Sequence, residues 1–231
     1  MKTIGLIGGM SWESTARYYS ELNEGIKERL GGLHSARIVL FSVEFAEIEQ
    51  LQHSDQWDAA AEILCGAAQS VQAGGADFLI LCTNTMHCVA EQIADAVRIP
   101  FLHIADATAQ QLVADGIQSV GLLGTAFTME QDFYSGRIRR EHGIDVLVPD
   151  ERDRQLVHRT IYEELCVGRI SADSRAEFLR IIAELNERGA QGIILGCTEI
   201  GLLVSQNHTS VPLYDTASIH AQKAVEFSLA P

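Results

Sequence analysis

One phrase occurs twice in this chain, at an offset of 114 residues that carries Thr83 onto Cys197. Gly74-Gly75-Ala76-Asp77-Phe78-Leu79-Ile80-Leu81-Cys82-Thr83-Asn84-Thr85 aligns with Arg188-Gly189-Ala190-Gln191-Gly192-Ile193-Ile194-Leu195-Gly196-Cys197-Thr198-Glu199. Each copy reads as a Gly-Ala turn, a buried apolar strand and a polar tip that opens a helix. The echo continues outside the phrase: Thr3-Ile4-Gly5-Leu6-Ile7-Gly8-Gly9 returns as Ser119-Val120-Gly121-Leu122-Leu123-Gly124-Thr125, and Tyr18 keeps its spacing in Tyr134. Ile99-Pro100-Phe101-Leu102 likewise returns as Val211-Pro212-Leu213-Tyr214. A period near half the chain length signals a duplicated domain, because solenoid repeats run only roughly 20 to 50 residues. If the two halves face each other, Thr83 and Cys197 face each other too.

Eight apolar, β-rich runs read as strands: Thr3 to Ile7, Arg37 to Phe41, Phe78 to Leu81, Phe101 to Ile104, Ser119 to Leu123, Asp145 to Val148, Gly192 to Leu195 and Val211 to Tyr214. Between most of them lie amphipathic stretches of helical length, such as Ser14 to Leu30, Gln56 to Ala73, Met129 to His142 and Ala172 to Arg188. Short unbroken apolar strands alternating with helices predict parallel sheets covered on both faces, with ligands bound outside the carboxyl ends of the strands. No linker, charge block or low-complexity tract marks a boundary, so two close-packed lobes with a cleft as the default pocket are expected. The expected division is 1–100 plus 210–231 for the first lobe and 101–209 for the second.

The net charge of -14 disfavours nucleic acid and anionic membranes, since no basic stripe is present to neutralise phosphates. No apolar run reaches the length of a membrane span, and the apolar opening Ile4 to Met10 is broken by glycine and followed by Ser-Trp-Glu, so a soluble, cytoplasmic chain is expected. Five sparse cysteines, Cys65, Cys82, Cys88, Cys166 and Cys197, fit a reducing compartment better than a disulfide framework.

Cys197 is the best candidate nucleophile. A thiol at a helix N-terminus lies in the positive end of the dipole, which lowers its pKa toward the thiolate; the competing reading is a small buried cysteine at a strand end. The duplicated polar tip Thr83-Asn84-Thr85 favours function, because two donor-rich tips aimed at one cleft form an anion site. Gly8-Gly9-Met10-Ser11 lacks both the dinucleotide and the P-loop spacing; it reads either as a tight turn alone or as one that brings Met10 and Ser11 to the cleft rim. Cys82, His87 and Cys88 match no common zinc pattern, so no metal is expected, and His87 reads as a residue that orients a neighbour or caps packing. Asp150-Glu151-Arg152-Asp153-Arg154 reads as a solvated loop or a lid segment, the counterpart of Glu44 to Gln52.

Gly8-Gly9-Met10 near the start, Asn84-Thr85-Met86-His87 in the middle and Gly196-Cys197-Thr198-Glu199 late together resemble the aspartate/glutamate racemase family, the pyridoxal-independent amino-acid racemases. The resemblance covers essentially the whole chain. It implies an α/β fold of two similar Rossmann-like or flavodoxin-like lobes with the active site between them, no cofactor, an amino acid as small-molecule partner and a homodimer. Members use two cysteines, one on each face of the substrate α-carbon. The resemblance further implies that Asn84, Thr85 and Thr198 hold the substrate α-carboxylate and that Met10 and Gln52 line the pocket beside Thr83 and Cys197.

Thr83 stands where the family has its first cysteine, and a threonine hydroxyl does not ionise near neutral pH. The resemblance implies racemisation of L-aspartate, L-glutamate or a related polar L-amino acid, and the substitution assigns Cys197 as base with Thr83 on the opposite face. Two alternatives stay open: a cysteine-dependent decarboxylase or isomerase of a dicarboxylic acid, and a non-catalytic amino-acid-binding sensor.

Overall fold

A computed structural model describes residues 1–231. The chain divides into two units, Met1–Ile104 together with His220–Pro231, and Ala105–Ile219. In the first unit the elements run β1 (Ile4–Gly8), α1 (Trp12–Leu30), β2 (Ile38–Ser42), α2 (Phe45–His53), α3 (Trp57–Ala73), β3 (Phe78–Leu81) and α4 (Ala90–Asp95). The chain then continues through α5 (Ile104–Ala114), β4 (Ser119–Gly124), α6 (Ala126–Glu130), α7 (Ser135–His142), β5 (Asp145–Leu147), α8 (Glu151–Glu163), α9 (Ala172–Glu187), β6 (Ile193–Gly196), α10 (Ile200–Leu203) and β7 (Leu213–Asp215). The last helix, α11 (Thr216–Leu229), begins in the second unit and from His220 belongs to the first.

Both sheets are wholly parallel, with strand orders β2-β1-β3 and β5-β4-β6-β7. The duplicated runs thus form equivalent strands: β1 and β4 are central, and β3 and β6 lie beside them in the two repeats of the phrase. Every residue of β1, β3 and β6 is buried, as expected of parallel strands covered on both faces. Ile7, Leu79 and Leu81 pack with Ile48, Leu64, Val71 and Met86 in the core of the first unit, and each such side chain contributes about 1.5–3 kcal/mol of hydrophobic stabilisation. In the second unit Val120, Leu122, Val157, Phe178, Ile182 and Ile194 have no exposed surface.

The internal echo extends to the turn chemistry. Ser11 caps α1 by accepting from Ser14 N–H, and Thr125 caps α6 by accepting from Thr128 N–H, which satisfies donors that the first helical turn leaves open. A Cβ on Gly8 would collide with Thr15 and one on Gly124 would press on Thr128, so in both repeats the strand end and the following helix approach at glycine.

Three expectations shift. Phe101–Ile104 is reduced to a single bridge between Leu79 and Phe101, because Pro100 has no N–H to extend a ladder and Ile104 already starts α5. The helix expected over Met129 to His142 is broken between α6 and α7, where Gln131 turns extended at φ -87° and ψ 151°. Asp150 to Arg154 is not a loop: Asp150 caps α8 by accepting from Asp153 N–H, and Glu151 and Asp153 lie in the first turn, where the dipole favours acids. Asp153 is buried against Arg180, whose guanidinium reaches its two oxygens at 2.6 and 2.9 Å. Phe101 bridges β3 and Leu213–Asp215 pairs with β6, and the segment that returns to the first unit begins at His220.

Candidate active site

The sequence-predicted residues all lie just past strand ends or in the helix after β2. In the first unit, Thr83, Asn84 and Thr85 follow β3 and are 8 %, 3 % and 6 % exposed. The 3₁₀ turn Thr85–Val89 continues directly from them, so the polar tip opens a helical turn as the repeat suggests. His87 holds the tip in place, as expected of an orienting residue. Its Nδ1 lies 2.7 Å from the Thr83 carbonyl and its Nε2 accepts from Ile104 N–H at 3.2 Å. A carbonyl only accepts, so Nδ1 carries the proton and the ring is neutral.

Met10 is not at a rim. It is 4 % exposed and belongs to the same apolar cluster as Ile48 and Met86. Ser11 is engaged as the cap of α1, and Thr15 Oγ1 both accepts from Gly9 N–H at 2.8 Å and donates to the Ser11 carbonyl at 2.9 Å. Gln52, 3 % exposed on α2, donates through Nε2 to the Met86 sulfur at 2.9 Å. Met10, Gln52 and the Thr83–Thr85 tip therefore converge around Met86 and the end of β3, all within the first unit.

Cys82 is fully buried, and its amide donates to Ile7 in β1. Burial pushes its thiol far up, which excludes it as a base near neutral pH. Cys88 is likewise pushed up to about 12 by burial.

In the second unit Cys197 follows β6 and retains partial exposure, whereas Thr198 and Glu199 are buried. The expected depression of the Cys197 pKa is not found. Its thiol is held well above its usual value, first by burial, then by the Glu199 carboxylate and by Cys166, with the Glu199 backbone N–H acting in the opposite direction. Two features explain the correction. Helix α10 begins only at Ile200 and has 4 residues, too few to develop much of a dipole. A carboxylate, meanwhile, sits directly on the sulfur: Cys197 Sγ donates to Glu199 Oε2 at 3.0 Å, and Thr198 Oγ1 donates to the same oxygen at 2.7 Å. The resting state is a thiol beside a carboxylate. Glu199 is the residue that sequence reading missed; an acid two positions after a candidate nucleophile was the available signal.

Parallel α/β units carrying hydroxyls, amides and a thiol at strand ends suit proton transfer at a carbon next to a carboxylate. Residues 7–224 match the model of the Asp/Glu/hydantoin racemase family. The chain is similar over its full length to a Yersinia pestis protein assigned to the Asp/Glu racemases, with 55% identity, complete coverage of both chains and a TM-score of 0.93. It is also similar to an aspartate racemase homologue from Pyrococcus horikoshii OT3, at 33% identity, 100% coverage of both and a TM-score of 0.86. The broad-specificity amino-acid racemase RacX of Bacillus subtilis (strain 168) is 23% identical over 98% of each chain. The chain belongs to the Asp/Glu/hydantoin racemase family. It is an isomerase of the racemase class. No helix is long and apolar enough to cross a membrane.

Proposed function

We propose that the protein is a cofactor-independent racemase of L-aspartate, L-glutamate or a related polar L-amino acid, in which Cys197 removes the α-proton and Thr83 stands on the opposite face. The observation that carries this reading is the chemical inequality of two equivalent tips: the second unit ends β6 with the half-buried cysteine Cys197, and the first ends β3 with Thr83. Within the same reading, donors from Asn84, Thr85 and Thr198 hold the substrate carboxylate as it gains enolate charge, and Gln52 with Met10 shapes the pocket. The names of the relatives, an aspartate racemase homologue and a broad-specificity amino-acid racemase, support an amino acid as substrate.

Unequal faces do not bias the equilibrium. Free enantiomers have equal energy, so kcat/KM is the same in both directions. The inequality shows instead in the partition of the carbanion. A thiolate exchanges the α-proton on its own face readily, whereas Thr83 holds or relays a water proton only slowly. In deuterated water, L-substrate should lose its α-proton faster than it inverts, read by proton resonance alongside chiral chromatography. Cys197→Ala abolishes both processes, and Thr83→Cys accelerates inversion. A Cys197→Ala protein that still exchanges the α-proton sinks the assignment, and equal rates of exchange and inversion in the native chain count against Thr83 as the weak face.

A further inference from the structure

The Cys197 sulfur, the Glu199 carboxylate and the Thr198 hydroxyl form one hydrogen-bonded group centred on Glu199 Oε2. Glu199 is 4 % exposed, so its carboxylate acts on the sulfur with little solvent between them. We infer that Cys197 and Glu199 share one mobile proton, with Glu199 accepting the thiol proton so that the sulfur can act as base on the amino-acid α-carbon. This inference rests on Cys197 being that base.

The step balances within the pair and the substrate. The S–H bond breaks and leaves its electron pair on sulfur, while an O–H bond forms on Glu199. The thiolate then takes the α-proton; the C–H electron pair stays on the substrate as an enolate, and the pair now carries two protons. Return of a proton from sulfur to carbon, followed by return of the Glu199 proton to sulfur, restores the start. A carboxylate placed this way opposes a standing thiolate yet shortens the path to a transient one. It therefore keeps the thiol protonated at rest and makes it a base only during turnover. The Glu199 N–H donates to the sulfur and eases formation of the anion. Cys166, on the 3₁₀ turn Leu165–Val167, adds to the opposition, and Arg175 on α9 donates to the Leu203 carbonyl at the far end of α10 at 2.7 Å.

Glu199→Gln separates the two effects, because it removes both the opposing charge and the proton acceptor. The pH dependence of Cys197 alkylation by iodoacetamide, followed by mass spectrometry of the Cys197 peptide in the full-length protein, needs no substrate. Its midpoint should fall by about 1–3 pH units. At neutral pH, α-proton exchange of L-aspartate or L-glutamate should drop about 100-fold or more, and the acid limb of kcat/KM should move to higher pH. Greater thiol reactivity with lower turnover is an opposed response that a merely structural residue does not produce. Glu199→Asp, whose shorter arm weakens the contact, should show a smaller fall in midpoint and partial recovery of exchange, and it serves as the test if Glu199→Gln does not fold. An unchanged alkylation midpoint overturns the inference, as does exchange at the native rate in Glu199→Gln. A midpoint that falls in a chain that exchanges no amino acid supports the shared proton and removes the reading of the reaction on which its use rests.

Discussion

His220 is fully buried, with Nδ1 accepting from the Tyr18 hydroxyl at 3.0 Å and Nε2–H donating to the Leu102 carbonyl at 2.9 Å. Burial lowers its pKa to about 4, against a smaller upward pull from the Leu102 carbonyl. The unfolded chain, with its histidine near 6.5, binds the extra proton first as pH falls. The stabilisation is therefore complete above about pH 6.5 and lost progressively down to about pH 4, by roughly 3 kcal/mol. Urea denaturation at pH 7 and pH 4.5 should show this loss in the native chain and a flatter response in His220→Gln; the same slope in both would refute it. None of this is legible in the sequence, where His220 sits in an unremarked helix. The equivalence of Thr83 and Cys197 is legible because the repeat aligns them. The Glu199 contact is not, because the turn after β6 has no fixed period to say whether a carboxylate two residues on folds back to the sulfur.

At the scale of elements, the turn from β1 into α1 shows how tightly a strand end can constrain its neighbours. Gly9 has φ of 98°, and a Cβ there would fall on the backbone of Val43, just beyond β2. Both the left-handed backbone and the lack of space require glycine. Gly9→Ala should lower unfolding free energy by at least about 2 kcal/mol, read as a lower urea midpoint, whereas Ser11→Ala, which removes only the cap of α1, should cost about 1 kcal/mol. A Gly9→Ala protein as stable as the native chain would show that this turn has freedom the geometry denies. Strands and long helices are legible here because apolar period and length distinguish them. The failures share a cause: Phe101–Ile104, the break at Gln131 and the start of α8 each depend on which backbone donors find partners. Apolar pattern alone does not report that.

For the whole molecule, the order of the chain and the order of the units part company. His220–Pro231 belongs to the first unit, where Phe227 packs on Phe78 at 4.7 Å between ring centroids, Lys2 N–H donates to the Ser228 carbonyl at 2.8 Å and Val225 covers Gly25. Deleting residues 220–231 should therefore strip hydrogen-exchange protection from β1 and β3, at the other end of the sequence, more than from β4 and β6. Equal loss in both sheets, or none in β1, would contradict this division.

Periodicity, the internal repeat and the order of its motifs determined the parallel α/β class, the duplication, the racemase family and the alignment of Thr83 with Cys197, since each depends only on which residue types stand at which positions along the chain. Tertiary structure alone decided that Met10 is core, that His220 stays neutral and that Cys197 rests as a thiol against Glu199. Burial and ionisation are set by what surrounds a group in space, and folding assembles that environment from segments the sequence keeps apart or from turns whose geometry it leaves open.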